Sequence, residues 1–218
     1  MSKISQFLIA LCLLVFAGCE KADEINNTED RIGHSRVTRF PVFTMEGDEF
    51  ISIVKGGTYT EPGVTAAEGA SALTVTTTGT VDASTPGVYE LTYSATNKDG
   101  FAASVTRTVA VLPEAEQAGV NIAGNYANTG SFSYVAVMKK LAPGFYVADN
   151  VWGGGSAAII PAYILTTDGK NLLVPESYLS PYGGVEGTGT LDAEGNLTYV
   201  ISLLDQGVSN STRKWKRQ

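Results

Sequence analysis

The sequence predicts an all-β protein: an N-terminal β-sandwich followed by an antiparallel β-meander that closes as a barrel or stacks as a second sandwich. Three observations carry this. Short runs rich in Val, Thr and Tyr alternate apolar and polar residues along most of the chain. Turn signals separate them, among them Asp99–Gly100, Pro143–Gly144, Asp168–Gly169 and Glu194–Gly195–Asn196. No segment sustains the 3.6-residue period of an amphipathic helix.

The N-terminus is of another kind. Lys3 precedes an apolar run from Phe7 to Ala17, and small residues Ala17 and Gly18 lead into Cys19. The run is shorter than the roughly 20 residues a helix needs to cross a bilayer. It has the proportions of an export-signal core. The string Phe16–Ala17–Gly18–Cys19 resembles the bacterial lipobox, with Phe16 where leucine is commonest. That resemblance implies a signal peptide over 1–18, lipidation of Cys19 and anchoring of the mature chain by its acyl groups. Residues 19–38 then read as a flexible acidic tether. The residues after Cys19 include Glu20, Asp23 and Glu24, interrupted by Lys21 and Ala22. They resemble the short acidic signal that Bacteroidota-type lipoproteins use for surface display. This implies an outer-membrane anchor with the protein exposed at the cell surface; the periplasm-facing leaflet is the alternative.

Residues 39–112 hold the sandwich. FISIV (50–54) precedes Gly56–Gly57, and LTVTTTGTV (73–81) reads as a strand of residues that suit a pleated surface. After Pro86–Gly87, Tyr89, Leu91, Tyr93 and Ala95 alternate with polar residues. Ala103, Val105, Val109 and Val111 share one parity of the next strand, and Asn97–Lys98–Asp99–Gly100 joins the two arms. The strings Gly57–Ala66, Gly79–Asp82 and Pro86–Tyr89, with this hairpin, resemble the bacterial immunoglobulin-like (Ig-like) domain of surface lipoproteins, also found in pesticidal crystal toxins. The resemblance implies a β-sandwich acting as a spacer or adhesive module, not an enzyme.

Residues 113–120 form a linker, opened by Pro113, which cannot donate to a ladder. Residues 121–218 form the second module. Its strand-like runs are 132–139, 144–151, 157–165, 171–174, 185–191 and 196–204, and Pro161 marks an edge or bulge. The string Tyr146–Gly153 resembles the C-terminal domains that follow such Ig-like modules in gut bacterial lipoproteins. The two-module order resembles lipoproteins of polysaccharide utilization systems.

Composition removes several functional classes. The 218-residue chain has a net charge of −7, and loss of Lys3 with the signal makes it −8. Such a chain has no electrostatic footprint for nucleic acid. The basic run Arg213–Arg217 reads as a last strand with a solvated face. The cysteines are Cys12, which leaves with the signal, and Cys19, which is lipidated, so the mature chain has no thiol nucleophile or disulfide. The single histidine, His34, lies in the tether and assembles no catalytic triad. Asp149, Glu176 and Glu186 lie among aromatics, but no two carboxylates stand out as a glycosidase pair. VWGGGS (151–156) lacks the ending of a phosphate-binding loop. The expectation is a non-enzyme with no cofactor and no metal.

What remains is aromatic. Trp152, flanked by Asp149 and Asn150, lies in a glycine-rich stretch that reads as a displayed loop. Tyr178 and Tyr182 lie in a second stretch that reads as an exposed loop through Gly184. Aromatic faces stack on the apolar C–H faces of sugars while Asn and Asp satisfy hydroxyls, and loops on a rigid β scaffold suit that task. Asp149, Asn150, Trp152, Tyr178 and Tyr182 are therefore the candidate carbohydrate-binding residues. The expected partners are the membrane, through the lipid, and a glycan or outer-membrane transporter proteins. A structural or protein–protein interaction lipoprotein with no small ligand is the alternative, and a barrel carrying an apolar ligand is a third reading.

Overall fold

The structure, a computed structural model, describes residues 31–32, 35–130 and 133–218. The signal segment 1–18, Cys19 and His34 lie outside the described residues. Within the segment read as a tether, β1 (Arg31–Ile32) and β2 (Ser35–Arg36) pair antiparallel. Contacts divide the chain before Phe40, and Phe40–Gln218 is one compact unit.

That unit begins with a two-sheet sandwich. Its strands are β3 (Val42–Met45), β4 (Phe50–Val54), β5 (Val64–Glu68), β6 (Ser71–Leu73), β7 (Thr76–Thr78), β8 (Gly87–Thr96) and β9 (Ala102–Leu112). One sheet has the order β3-β5-β6 and the other β4-β9-β8-β7, with β4 parallel to β9. Alternation along β8 buries Leu91, Tyr93 and Ala95 between the sheets and leaves Glu90 outside. In the β8–β9 turn, Asn97 Oδ1 accepts from the Asp99 and Phe101 N–H groups at 3.0 and 2.8 Å. Gly100 takes the left-handed conformation the turn needs.

Two sequence expectations need amendment here. LTVTTTGTV is not one strand: the chain leaves the first sheet after Leu73 and joins the second at Thr76, so it breaks at Thr74–Val75. The parity that carries Val105 and Val109 also carries Arg107 into the core. Its guanidinium is fully buried, pairs with Glu61 at 3.1 Å, and donates to the carbonyls of Glu46 and Asp48.

The second module is an eight-stranded up-and-down barrel. Its strands are β10 (Gly124–Asn128), β11 (Val135–Ala142), β12 (Phe145–Ala148), β13 (Ala162–Leu165), β14 (Asn171–Ser180), β15 (Gly183–Leu191), β16 (Asn196–Leu203) and β17 (Val208–Arg217). Each pairs antiparallel with the next, and β10 pairs with β17 to close the ring. The all-β prediction holds, and the meander resolves as a barrel. Tyr126, Met138, Tyr146, Ile164, Leu197, Tyr199, Ile201 and Trp215 fill its interior. That filling opposes the reading as a carrier of an apolar ligand. Gly189, opposite Tyr199, leaves room for the ring. Thr188, Thr190, Thr198 and Lys214 take the opposite parity, outward. A membrane-spanning barrel has the reverse pattern, with an apolar band outside.

β12 and β13 break the alternation, being buried almost throughout. Their outer face is covered by the sandwich. Phe145, Tyr163 and Leu165 pack against Ala110 and Leu112, and Phe50 meets Phe145 edge-on at 6.1 Å. A strand buried on both sides has no reason to alternate. The linker is pinned to the same proximal end. Gln117 N–H donates to the Thr167 carbonyl at 2.8 Å, and Glu116 pairs with Lys140 at 2.8 Å. The Tyr146 hydroxyl donates to Glu116 at 3.1 Å.

Strand limits within the barrel differ from the apolar runs. β12 ends at Ala148, and Gly155–Ala157 forms a 3-10 turn before β13, so Asp149–Pro161 is one long loop. The stretch from Tyr178 to Gly184 is not a loop: β14 runs to Ser180, and only Pro181–Tyr182 form the turn. Pro175 sits inside β14, where the register shifts between Val174 and Ser177 and a missing N–H is tolerated.

Candidate functional site

Strand direction gathers four connections at the end of the barrel away from the linker. They are the β10–β11 connection, of which 129–130 and 133–134 are described, and the segments 149–161, 181–182 and 204–207. Trp152 and Tyr182 lie in this rim, and Tyr178 lies two residues below the end of β14. The rim is cross-tied by side chains. The Tyr182 hydroxyl donates to the Ala157 carbonyl at 2.7 Å. Gln206 Nε2 donates to the Tyr182 carbonyl at 3.0 Å, and Gly184 N–H donates to Asp205 at 2.8 Å.

The predicted residues have distinct jobs. Asn150 is buried, and its Oδ1 accepts from the N–H groups of Trp152, Gly153 and Ile160 at 2.9, 3.1 and 3.3 Å. It shapes the long loop rather than facing outward. Asp149 Oδ1 accepts from Val137 N–H at 2.9 Å, fixing the start of the same loop to β11. Trp152 is half-buried, and the Arg213 guanidinium lies 3.4 Å from its ring centre. Tyr178, on the outer wall, is 61% exposed, and its hydroxyl donates to Glu176 at 2.8 Å. That bond holds the proton and raises the Tyr178 pKa. Trp152 and Tyr182 thus share one rim, with Tyr178 beside it.

Two residues that sequence reasoning passed over complete the rim. Arg213 has the parity of Trp215, because Arg213 faces Tyr199 and Trp215 faces Leu197 across β16, and Trp215 and both partners are core residues. Arg213 therefore points inward at the barrel mouth, not into a solvated face. Burial lowers its pKa. Alternation in Arg213–Lys214–Trp215 was the signal for this, had Trp215 been assigned to the interior. Asn128, at the end of β10, donates from Nδ2 to the Gly153 carbonyl at 3.3 Å and accepts from Gly130 N–H at 2.6 Å. Between β10 and β17 lies an open cleft of about 600 Å³, lined by Asn128, Thr129, Gly153, Thr212, Arg213 and Lys214.

Fold and rim define a two-module all-β protein, an Ig-like sandwich docked on a closed barrel with an aromatic and cationic distal mouth. Residues 43–111 match the family described as bacterial surface protein, Ig-like domain. No curated protein matches the chain. Among solved structures, the lipoprotein BT2262 from Bacteroides thetaiotaomicron is similar at 28% identity and a TM-score of 0.41, over 82% of this chain and 100% of that one. No helix among the described residues is long and apolar enough to cross a membrane.

Proposed function

We propose that this chain is a non-catalytic surface lipoprotein, anchored in the outer membrane through Cys19, that binds glycan at the distal rim of its barrel and serves a polysaccharide-uptake system. One observation carries the binding part: Trp152, Tyr182 and Arg213 occupy the same end of a rigid barrel, opposite the end braced by the linker. Aromatic faces and fixed hydrogen-bonding groups on tied loops suit sugar rings. The sandwich acts as spacer between tether and barrel. Its match to an Ig-like family of bacterial surface proteins supports the display part.

Affinity electrophoresis of the mature protein against a broad panel of soluble polysaccharides tests this reading. Retardation by at least one glycan, lost in Trp152→Ala with an unchanged circular dichroism spectrum, is the expected result. No retardation across the panel would refute glycan binding.

A protein-partner reading has its own support. Phe40, Val42 and Phe101 are 58%, 67% and 45% exposed on the sandwich, and Phe40 meets Phe101 edge-on at 5.4 Å. Exposed apolar clusters of this kind serve protein contacts. Pull-down of an outer-membrane transporter, lost in Phe101→Ser, would favour this reading.

A further inference from the structure

We propose that the rim cleft beside Arg213 recognises an anionic group on the bound saccharide, the carboxylate of a uronic acid or a sulfate ester; this rests on the glycan-binding reading above. Partnering sets Arg213 apart from other cations that touch the body of the protein. Arg107 has Glu61 and backbone carbonyls. Lys140 has Glu116 and the Val120 carbonyl. Lys216 donates to the Glu194 carbonyl, and Arg217 to the Ala123 carbonyl. Arg213 has Trp152 on one face, and no described residue supplies a carboxylate or carbonyl to its nitrogens. Its Nε is buried without an acceptor. A desolvated cation without an anion is costly unless something supplies the counter-charge.

The surroundings fit an anion. The cleft is lined by Asn128, Thr129 and Lys214 along with Arg213, and no Asp or Glu lines it. Its position follows from strand lengths. β10 ends at Asn128 opposite Trp215, Thr129 still donates to the Lys214 carbonyl at 3.1 Å, and β17 continues above that bond, leaving a notch in the wall next to residues 212–213. Stacking on Trp152 holds the guanidinium plane, and a held planar fork suits the paired oxygens of carboxylate or sulfate. The chain as a whole is acidic, at −7, so its net charge supplies no long-range attraction and recognition is local.

The test uses the mature protein extracted in detergent, with polygalacturonate, dextran sulfate and uncharged dextran as probes in affinity electrophoresis at low salt. Retention by an anionic probe over dextran is expected, and which anionic probe binds distinguishes carboxylate from sulfate. Arg213→Gln should weaken that binding about tenfold or more, as loss of a charge-assisted hydrogen bond does. Lys139→Gln, an equal charge loss elsewhere on the barrel, should leave it within about twofold, as expected of an exposed charge outside the site. Thr212→Glu puts a carboxylate on the exposed lip of the cleft and should abolish binding without touching the core. Equal losses in Arg213→Gln and Lys139→Gln would overturn the proposal. Binding of dextran as tight as that of dextran sulfate, unaffected by Thr212→Glu, would overturn it while leaving glycan binding intact. Failure of every probe and of the neutral panel would overturn both.

Discussion

The Asn128 side chain donates to the Gly153 carbonyl at 3.3 Å, which ties the end of the first barrel strand to the loop that carries Trp152. Gly153 has a left-handed backbone, and a side chain there would run into the Asn128 amide and the Trp215 ring. Gly153→Ala should therefore destabilise the protein by about 1–3 kcal/mol, the usual cost of overpacking. Chemical denaturation reads this as a lower midpoint at unchanged slope. Asn128→Ala should cost less, about 1 kcal/mol for one hydrogen bond.

Docking of the sandwich on the barrel depends on Phe145, which is fully buried between Phe50 and Tyr163. Phe145→Ala should cost about 3–5 kcal/mol. Because the lost contacts lie between modules, calorimetry should show one unfolding transition becoming two. A single transition shifted to lower temperature would mean that other contacts alone hold the modules together.

Inside the sandwich the fully buried Arg107 pairs with Glu61, which is partly exposed. Arg107→Ala leaves the Glu46 and Asp48 carbonyls without that donor and a cavity where the buried side chain packed, and should cost about 3–5 kcal/mol. Glu61→Gln keeps the shape but removes the counter-charge, and should cost about 1–2 kcal/mol because hydrogen bonding partly survives. The ratio of the two losses, read from denaturant midpoints, tests whether the cation is the more heavily used partner.

Acid should weaken the fold through three carboxyl groups. Burial acts to raise Glu61, but hydrogen bonds from the Tyr59 hydroxyl and the Gly63 N–H, with the charge of Arg107, outweigh it and lower its pKa. Glu116 is lowered the same way, burial being outweighed by Lys140 and Tyr146 and a backbone hydrogen bond at Gly144. Burial of Asp168 is likewise outweighed, by the Asn171 and Lys170 N–H groups, the Asn171 amide and the Thr166 hydroxyl, bringing its pKa to about 2. Depressed carboxyl pKa values give stability that is fully present above the ordinary values of 3.8 and 4.5 and is lost as pH falls through the folded ones. The melting temperature should be flat above about pH 5 and fall steadily toward pH 2. Asp168→Asn should lower the plateau and flatten the lower end of that fall.

Local pattern made much of the fold readable. Leu91, Tyr93 and Ala95 alternate in the sequence and line the sandwich core, and the Asn97–Gly100 turn lies between the strands it separates. Leu197, Tyr199, Ile201 and Leu203 do the same for the barrel. What was hidden depended on contacts distant in sequence. Phe145 and Tyr163 gave non-alternating runs because a different module covers their outer face. Thr74–Val75 breaks a Thr- and Val-rich run because the chain changes sheets there. Tyr178 reads as loop because Pro181 and Gly183–Gly184 follow it, whereas β14 continues to Ser180 and the turn is only two residues long. Arg213 read as solvated because its inward direction is set by barrel closure, in which Arg217 pairs with Tyr126. Of the candidate binding residues, Trp152 and Tyr182 could be named from aromatic character beside Gly and Pro. The cation that stacks on Trp152 could not.

The proposed binding site for saccharide is the distal rim. Isothermal titration of the mature protein with a glycan retained in electrophoresis, run beside a Trp152→Ala, Tyr182→Ala double variant of unchanged melting temperature, tests it most directly. Saturable binding by the wild type and its loss in the double variant is the predicted result. Equal binding by both proteins, or no binding by either across the panel, would contradict it.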